Sequence, residues 1–131
     1  MTEKTVLVVD DEAPIRLAAA EALERAGFQV RQAANGREAL EQVEAGGCDL
    51  VVLDVIMPER NGWDVLRAIR KDEATQNLPV IMMTILDSDD SVTTGWRMGA
   101  DYYLTKPFSA HDLVDIVKRL LAGTSPEEPA A

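Results

Sequence analysis

The sequence predicts a parallel, doubly wound α/β domain in three layers, and three observations carry that prediction. Short aliphatic runs recur along the chain, each followed by a longer segment with apolar residues at helical spacing. The runs beginning at residues 5, 50 and 80 are apolar throughout, as strands covered on both faces must be. The 131 residues, 47% of them hydrophobic, suit one ordinary core, not a disordered chain or a disulfide-stapled miniature. Five βα units joined by right-handed crossovers then bring every strand's C-terminal end to one edge of the sheet.

The elements follow in order. Strands are expected at Thr5–Val9, Phe28–Ala33, Leu50–Leu53, Val80–Met83 and Tyr102–Thr105. The first helix, Ala13 to Ala26, lines up Ile15, Ala19, Ala22, Leu23 and Ala26 on one face. Pro14 is tolerated in its first turn, and Gly27 stops it. Asn35 with Glu38 marks the start of the second helix, and Ser109 with Asp112 the start of the fifth, which closes at Gly123. Arg67, Arg70 and Lys71, the densest basic run, fall at helical spacing on an expected solvated face. The fourth helix, SDDSVTTGWRMG, holds Ser, Thr and an interior Gly95, all poor helix formers, and is expected to be the least stable element. Residues 1–123 are read as one domain and TSPEEPAA, residues 124–131, as a tail or the start of a linker.

Composition excludes several functions. A formal charge of -10 repels nucleic acid and anionic membrane. Cys48, the single cysteine, cannot form an intrachain disulfide, and MTEKTVLVV has neither a basic n-region nor a membrane-length apolar run. A reducing cytoplasm is the expected location.

The shared sheet edge concentrates the chemistry. Asp10 and Asp11 follow the first strand, Asp54 the third, Thr84 the fourth and Lys106 the fifth. Three converging carboxylates repel one another unless a cation sits among them. A site of carboxylates without His or Cys suits Mg2+, which keeps several waters, and suits zinc poorly. Lys106 and Thr84 add a compact positive charge and a hydroxyl suited to a phosphoryl group. Taken singly, Asp10 and Asp11 are equally well read as caps of the first helix, whose positive end favours carboxylates. Tyr103 alone reads as a half-buried strand aromatic, and His111 as an exposed helix residue. Trp96 and Met98 are read either as core or as a partner surface.

In order and spacing, VLVVDDEAPIR, LVVLDVIMPERNGWDVL, LPVIMMT and GADYYLTKPF resemble the receiver domains of two-component response regulators, over residues 4 to about 122. The resemblance implies a CheY-like, flavodoxin-like (βα)5 fold with strand order 2-1-3-4-5. It also implies Asp54 as phosphoacceptor, with Asp10, Asp11, Asp54 and the Ile56 backbone carbonyl holding Mg2+, or Mn2+ in its place. Thr84 and Lys106 would bind phosphoryl oxygens, Thr84 and Tyr103 would form the switch, and Lys106-Pro107 would be a cis peptide.

The function so implied is a phosphorelay switch that changes the surface of its fourth helix, fifth strand and fifth helix. It is not an enzyme as conventionally classified, although it assists its own phosphoryl transfer and dephosphorylation. Implied partners are a sensor histidine kinase or phosphotransfer protein, a downstream protein or attached output domain, and a second copy docked through the switched face. Departures from the family pattern shape the expectations. Bulky Ile85 follows Thr84 where a small residue is usual, which keeps open a pseudo-receiver acting only through protein contacts. Apolar Ile56 and Leu86 should hinder an attacking water and lengthen the phosphoryl state. Tyr102 stands where an acidic residue often follows Gly-Ala-Asp, and Asp115 where one subfamily places a basic residue in its dimer. A haloacid dehalogenase-type phosphatase needs an Asp two residues after its nucleophile, where Ile56 stands. A flavin site needs a Ser/Thr/Gly-rich phosphate loop that is missing here.

Overall fold

The computed structural model describes residues 4–55, 62–84 and 99–123. The chain alternates β1 (Thr5–Val9), α1 (Ala13–Arg25), β2 (Gln29–Ala33), α2 (Gly36–Ala45), β3 (Leu50–Asp54), α3 (Gly62–Lys71), β4 (Val80–Thr84), β5 (Tyr102–Thr105) and α4 (Ala110–Leu121). The segment SDDSVTTGWRMG, expected as a helix before β5, lies outside the described residues except for its last residue, Gly99, and Ile56, Ile85, Leu86, Trp96, Met98 and residues 124–131 lie outside them too. All pairings are parallel, in the order β2-β1-β3-β4-β5.

The strands match the expected runs to within a residue, and the exceptions matter for the site. β3 and β4 each extend one polar residue past the aliphatic run, because the ladder continues through Asp54↔Met83 and Thr84↔Thr105. Asp54 and Thr84 are thus held by sheet pairing.

Burial follows from the period of two along each strand. Leu7, Val9, Val51, Leu53, Val80 and Met82 face Ala39 and Val43 of α2 and Val65, Leu66 and Ile69 of α3. Their alternates Val6, Val8, Leu50, Val52, Ile81 and Met83 face Ala19 and Leu23 of α1 and Leu113, Ile116 and Val117 of α4. β1, β3 and β4 are therefore covered on both sides, which explains the unbroken apolar runs Val6–Val9, Leu50–Leu53 and Val80–Met83. β2, at the sheet edge, carries Gln29, Arg31 and Gln32 where solvent reaches.

The helix ends are set by local chemistry. The Asn35 side chain accepts from the Glu38 N–H at 2.9 Å, while the Glu38 carboxylate accepts from the Ala34 N–H at 2.8 Å. The Ser109 hydroxyl accepts from the Asp112 N–H at 3.0 Å. Each such cap is worth about 1 kcal/mol. α1 ends at Ala26, where Gly27 takes φ 103°, a left-handed value that an L side chain rarely adopts. Capping by Asp10 or Asp11 is a reading the structure corrects. Glu12 occupies the N-cap of α1 without a side-chain cap, and Asp10 instead accepts from the Glu12 N–H at 2.9 Å.

Arg70 is a second correction. Arg67 and Lys71 are exposed as expected, but the Arg70 side chain is only 20% exposed. It donates to the carbonyls of Gly99 (2.9 Å) and Leu78 (2.7 Å) and pairs with Asp101 at 2.9 Å. Asp101 also accepts from the Val80 N–H at 2.8 Å. The last turn of α3 overlies the starts of β4 and β5, so a side chain that helical spacing assigns to solvent finds buried carbonyls there. Among the described residues no helix is long and apolar enough to cross a membrane.

Cys48 is a half-buried free thiol whose sulfur lies 3.4 Å from Arg31 Nη1. Burial pushes the thiol above its ordinary 9.0; the nearby Arg31 charge and hydrogen bond oppose this, and the Asp49 charge reinforces it. The thiolate is the reactive form, so Ellman's reagent at pH 8 should label Cys48 more slowly in the folded protein than in urea. A folded pKa above the unfolded one means that this group favours the native state below about pH 9 and loses that effect as pH rises through the folded value. Equal labelling rates in folded and unfolded protein would contradict this.

Candidate functional site

The C-terminal edge of the sheet gathers side chains that the sequence spreads from residue 10 to residue 106. Asp10 follows β1, Asp54 ends β3, Thr84 ends β4 and Lys106 follows β5. Asp10, Asp54 and Thr84 are almost completely buried, at 0%, 4% and 1% exposure, whereas Asp11 is open to solvent. One carboxylate oxygen from each of Asp10, Asp11 and Asp54 lies within 4.8 Å of the others.

Lys106 reaches into this cluster. Its Nζ is 3.0 Å from Asp10 Oδ2 and 3.5 Å from Asp54 Oδ1, with a side chain only 10% exposed. Burial by itself lowers the lysine pKa, but the Asp10 hydrogen bond and the charges of Asp54 and Asp10 outweigh it, and the net shift is upward from 10.5. Lys106 is therefore a fixed positive charge at neutral pH. Asp10 uses both carboxylate oxygens, one for Lys106 and one for the Glu12 N–H. Arg16 braces the same corner by donating to the Asp10 carbonyl at 2.8 Å.

The structure brings Asp10, Asp11, Asp54 and Lys106 into one cluster. Thr84 lies beside them at the end of β4, in register with Thr105, and its carbonyl accepts from the Lys106 N–H at 2.7 Å. Tyr103 sits half-buried within β5. Its ring is nearly parallel to that of Trp63, with centroids 6.4 Å apart and an interplanar angle of 11°. The Lys106-Pro107 peptide is cis. Ile56, whose carbonyl the resemblance adds to the metal ligands, lies outside the described residues. His111 is exposed on α4.

Sequence reasoning assigned no role to Gly62 or Trp63. The Gly62 N–H donates to the Val55 carbonyl at 2.8 Å. A Cβ at Gly62 would lie 2.3 Å from the Asp54 carbonyl oxygen and 2.9 Å from Val55 Cα. The first turn of α3 is thus pressed against the backbone that carries Asp54. The Asn61-Gly62 dipeptide is a legible turn signal in the sequence, but the packing of Gly62 against Asp54 is not.

The donor chemistry fits a hard divalent cation. Three carboxylates, with no imidazole or thiolate among them, would lie within reach of one ion, and exposed Asp11 would leave that ion open to water. A parallel doubly wound sheet with acidic and basic side chains converging beyond its strand ends defines a domain that handles its ligand at that edge. The chain belongs to the response regulator receiver domain family, whose model its residues 6–118 match.

Relatives and solved structures agree. The chain is 40% identical over 131 residues to the phosphate regulon transcriptional regulatory protein PhoB of Pseudomonas aeruginosa, covering 100% of this chain and 57% of that protein. To the DNA-binding transcriptional regulator NtrC of Rhizobium meliloti it is 41% identical over 122 residues, covering 93% of this chain and 25% of NtrC. The chain therefore spans little more than half of one relative and a quarter of the other. A putative response regulator from Chloroflexus aurantiacus superposes with a TM-score of 0.88 at 35% identity, covering 92% of this chain and 99% of that one. The chemotaxis response regulator CheY4 of Vibrio cholerae gives 0.86 at 34% identity, covering 91% and 99%.

Proposed function

We propose that this receiver domain is a phosphorylation-activated switch whose phosphoacceptor is Asp54. The observation that carries the reading is the placement of Asp54: buried at the end of β3, 3.5 Å from Lys106, and grouped with Asp10 and Asp11. The Asp54 carboxylate attacks the phosphorus of a phosphohistidine on a partner kinase or phosphotransfer protein. A P–O bond forms, the P–N bond breaks, and the imidazole leaves with its electron pair and takes up a proton. Asp10, Asp11 and Asp54 would hold Mg2+ or Mn2+, which supplies charge neutralisation for the transferred group. Lys106 turns from the carboxylates to the phosphoryl oxygens, and the Thr84 hydroxyl donates to them. The added charge draws Thr84 inward, and Tyr103 follows on the same sheet face.

The domain so defined is residues 1–123, with 124–131 a short tail or the start of a linker. The names PhoB and NtrC support a transcriptional output, with this chain itself making no nucleic-acid contact and working in the cytoplasm. A second copy docked on the switched face would be a further partner.

Intact mass after incubation with acetyl phosphate and Mg2+ tests the reading. One phosphoryl group should be gained, and the gain should be lost in Asp54→Asn and without the metal. No gain in a folded wild-type protein would overturn the switch and leave an interaction module. The apolar pair Ile56 and Leu86 predicts a slow decay once the donor is removed, and hydrolysis within seconds would contradict that.

A further inference from the structure

We propose that Trp63 is the seat that receives Tyr103 when its ring leans toward the crevice, so that the Trp63–Tyr103 stack sets how readily Asp54 chemistry switches the domain. The proposal rests on the reading of Asp54 and Tyr103 given above and adds to it the residue that decides the orientation of the ring.

The topology carries the argument. Tyr103 pairs with Met82 on the neighbouring β4, and beyond β4 lies β3. Trp63 is the second residue of α3, the helix that connects β3 to β4. The Tyr103 ring on β5 therefore meets Trp63 across β4, on the side of β3, the strand that ends in Asp54. Tyr103 shares its sheet face with Met82 and hence with Thr84, two residues further along β4. Both aromatic rings are partly buried against the same core cluster, which includes Leu53, Val65 and Met82.

Trp63 is also tied to the phosphoacceptor. Its neighbour Gly62 donates to the Val55 carbonyl at 2.8 Å and packs against the Asp54 carbonyl so closely that a Cβ there would lie 2.3 Å away. The ring that receives Tyr103 is therefore fixed to the backbone that carries Asp54. Aromatic pairs add to simple burial enough to move a two-orientation equilibrium by about twofold to tenfold. Loss of the stack should disfavour the inward ring and, by reciprocity, weaken whatever binds the inward state. Trp63 is thus a positioning residue that acts through Tyr103.

The test uses the full chain with Mg2+ and beryllofluoride, a phosphoryl mimic, the binding midpoint being read from the 19F signal of the bound anion. Trp63→Leu should raise the midpoint about twofold to tenfold, and Trp63→Phe, which keeps a stacking ring, should restore most of it. The phosphoryl group gained from saturating acetyl phosphate should remain one per chain in both variants. In a Tyr103→Leu background, Trp63→Leu should have no further effect on the midpoint. An unchanged midpoint in Trp63→Leu, or an equal shift with and without Tyr103, would overturn the seat while leaving the Asp54 reading intact. A wild type that responds to neither donor overturns both, and the two failures are thereby told apart.

Discussion

Lys106→Met should cost the folded protein about 3 kcal/mol without Mg2+, because breaking a buried pair from one side leaves its partners uncompensated. Two nearly inaccessible carboxylates depend on this cation: Asp10 at 3.0 Å, itself fully buried, and Asp54 at 3.5 Å. The 10% exposure of Lys106 and the solvent-facing Asp11 keep the expected cost at the low end of the usual range. Met keeps most of the apolar stem, so the loss isolates the charge. A divalent ion would replace that charge, so Mg2+ should recover stability in the variant more than it stabilises the wild type. Asp10→Asn in the same chain should also recover part of the loss. Urea denaturation of the single and double variants, with and without Mg2+, measures all of this. A loss under about 1 kcal/mol that Mg2+ does not alter would mean that the cluster is not held by Lys106. The variant should also lose most of its phosphoryl uptake, since the transferred group would lack its positive partner.

Gly62→Ala should be as damaging as many large core substitutions, although it adds only a methyl group. The added carbon would be 2.3 Å from the Asp54 carbonyl oxygen and 3.0 Å from the Asp54 carbonyl carbon, and both are backbone atoms of a strand held by its ladder. Neither can rotate away as a flexible side chain could, so β3 or α3 must move. Overpacking of this kind costs about 1–3 kcal/mol, and the rigid neighbour places Gly62→Ala at the upper end. Asp54 would be displaced in the same step, so phosphoryl uptake should fall even where the variant is fully folded. Ser at this position should behave no better than Ala. Wild-type stability and wild-type uptake in Gly62→Ala would show that the approach of α3 to β3 is not a constraint on the site.

Much of the fold was legible because its signals are local. Three aliphatic runs and two mixed ones placed the strands to within a residue, and the Asn35 and Ser109 caps were readable because a cap is made with a backbone N–H three residues away. The site was legible to the extent that it obeys one rule of topology. In a parallel sheet, residues that close different strands share an edge, so Asp10, Asp54, Thr84 and Lys106 could be grouped without knowing any distance. What escaped notice depends on long-range packing. Nothing in the local sequence distinguishes Arg70 from its exposed neighbours Arg67 and Lys71, yet Arg70 alone meets Gly99, Leu78 and Asp101. Asp10 could be grouped with Lys106 on topology, but their direct contact across 96 residues of sequence has no local signal.

The sequence by itself determined the βα alternation, the double coverage of β1, β3 and β4, and which charged residues share the sheet edge. These follow from hydrophobic period and chain order, which are properties of neighbours along the chain. Only the tertiary structure decided that Lys106 lies between Asp10 and Asp54, that Gly62 must be glycine against the Asp54 carbonyl, and that Trp63 meets Tyr103. Those are contacts between segments far apart in the chain, and their geometry is fixed by sheet twist and close packing, which no local pattern records.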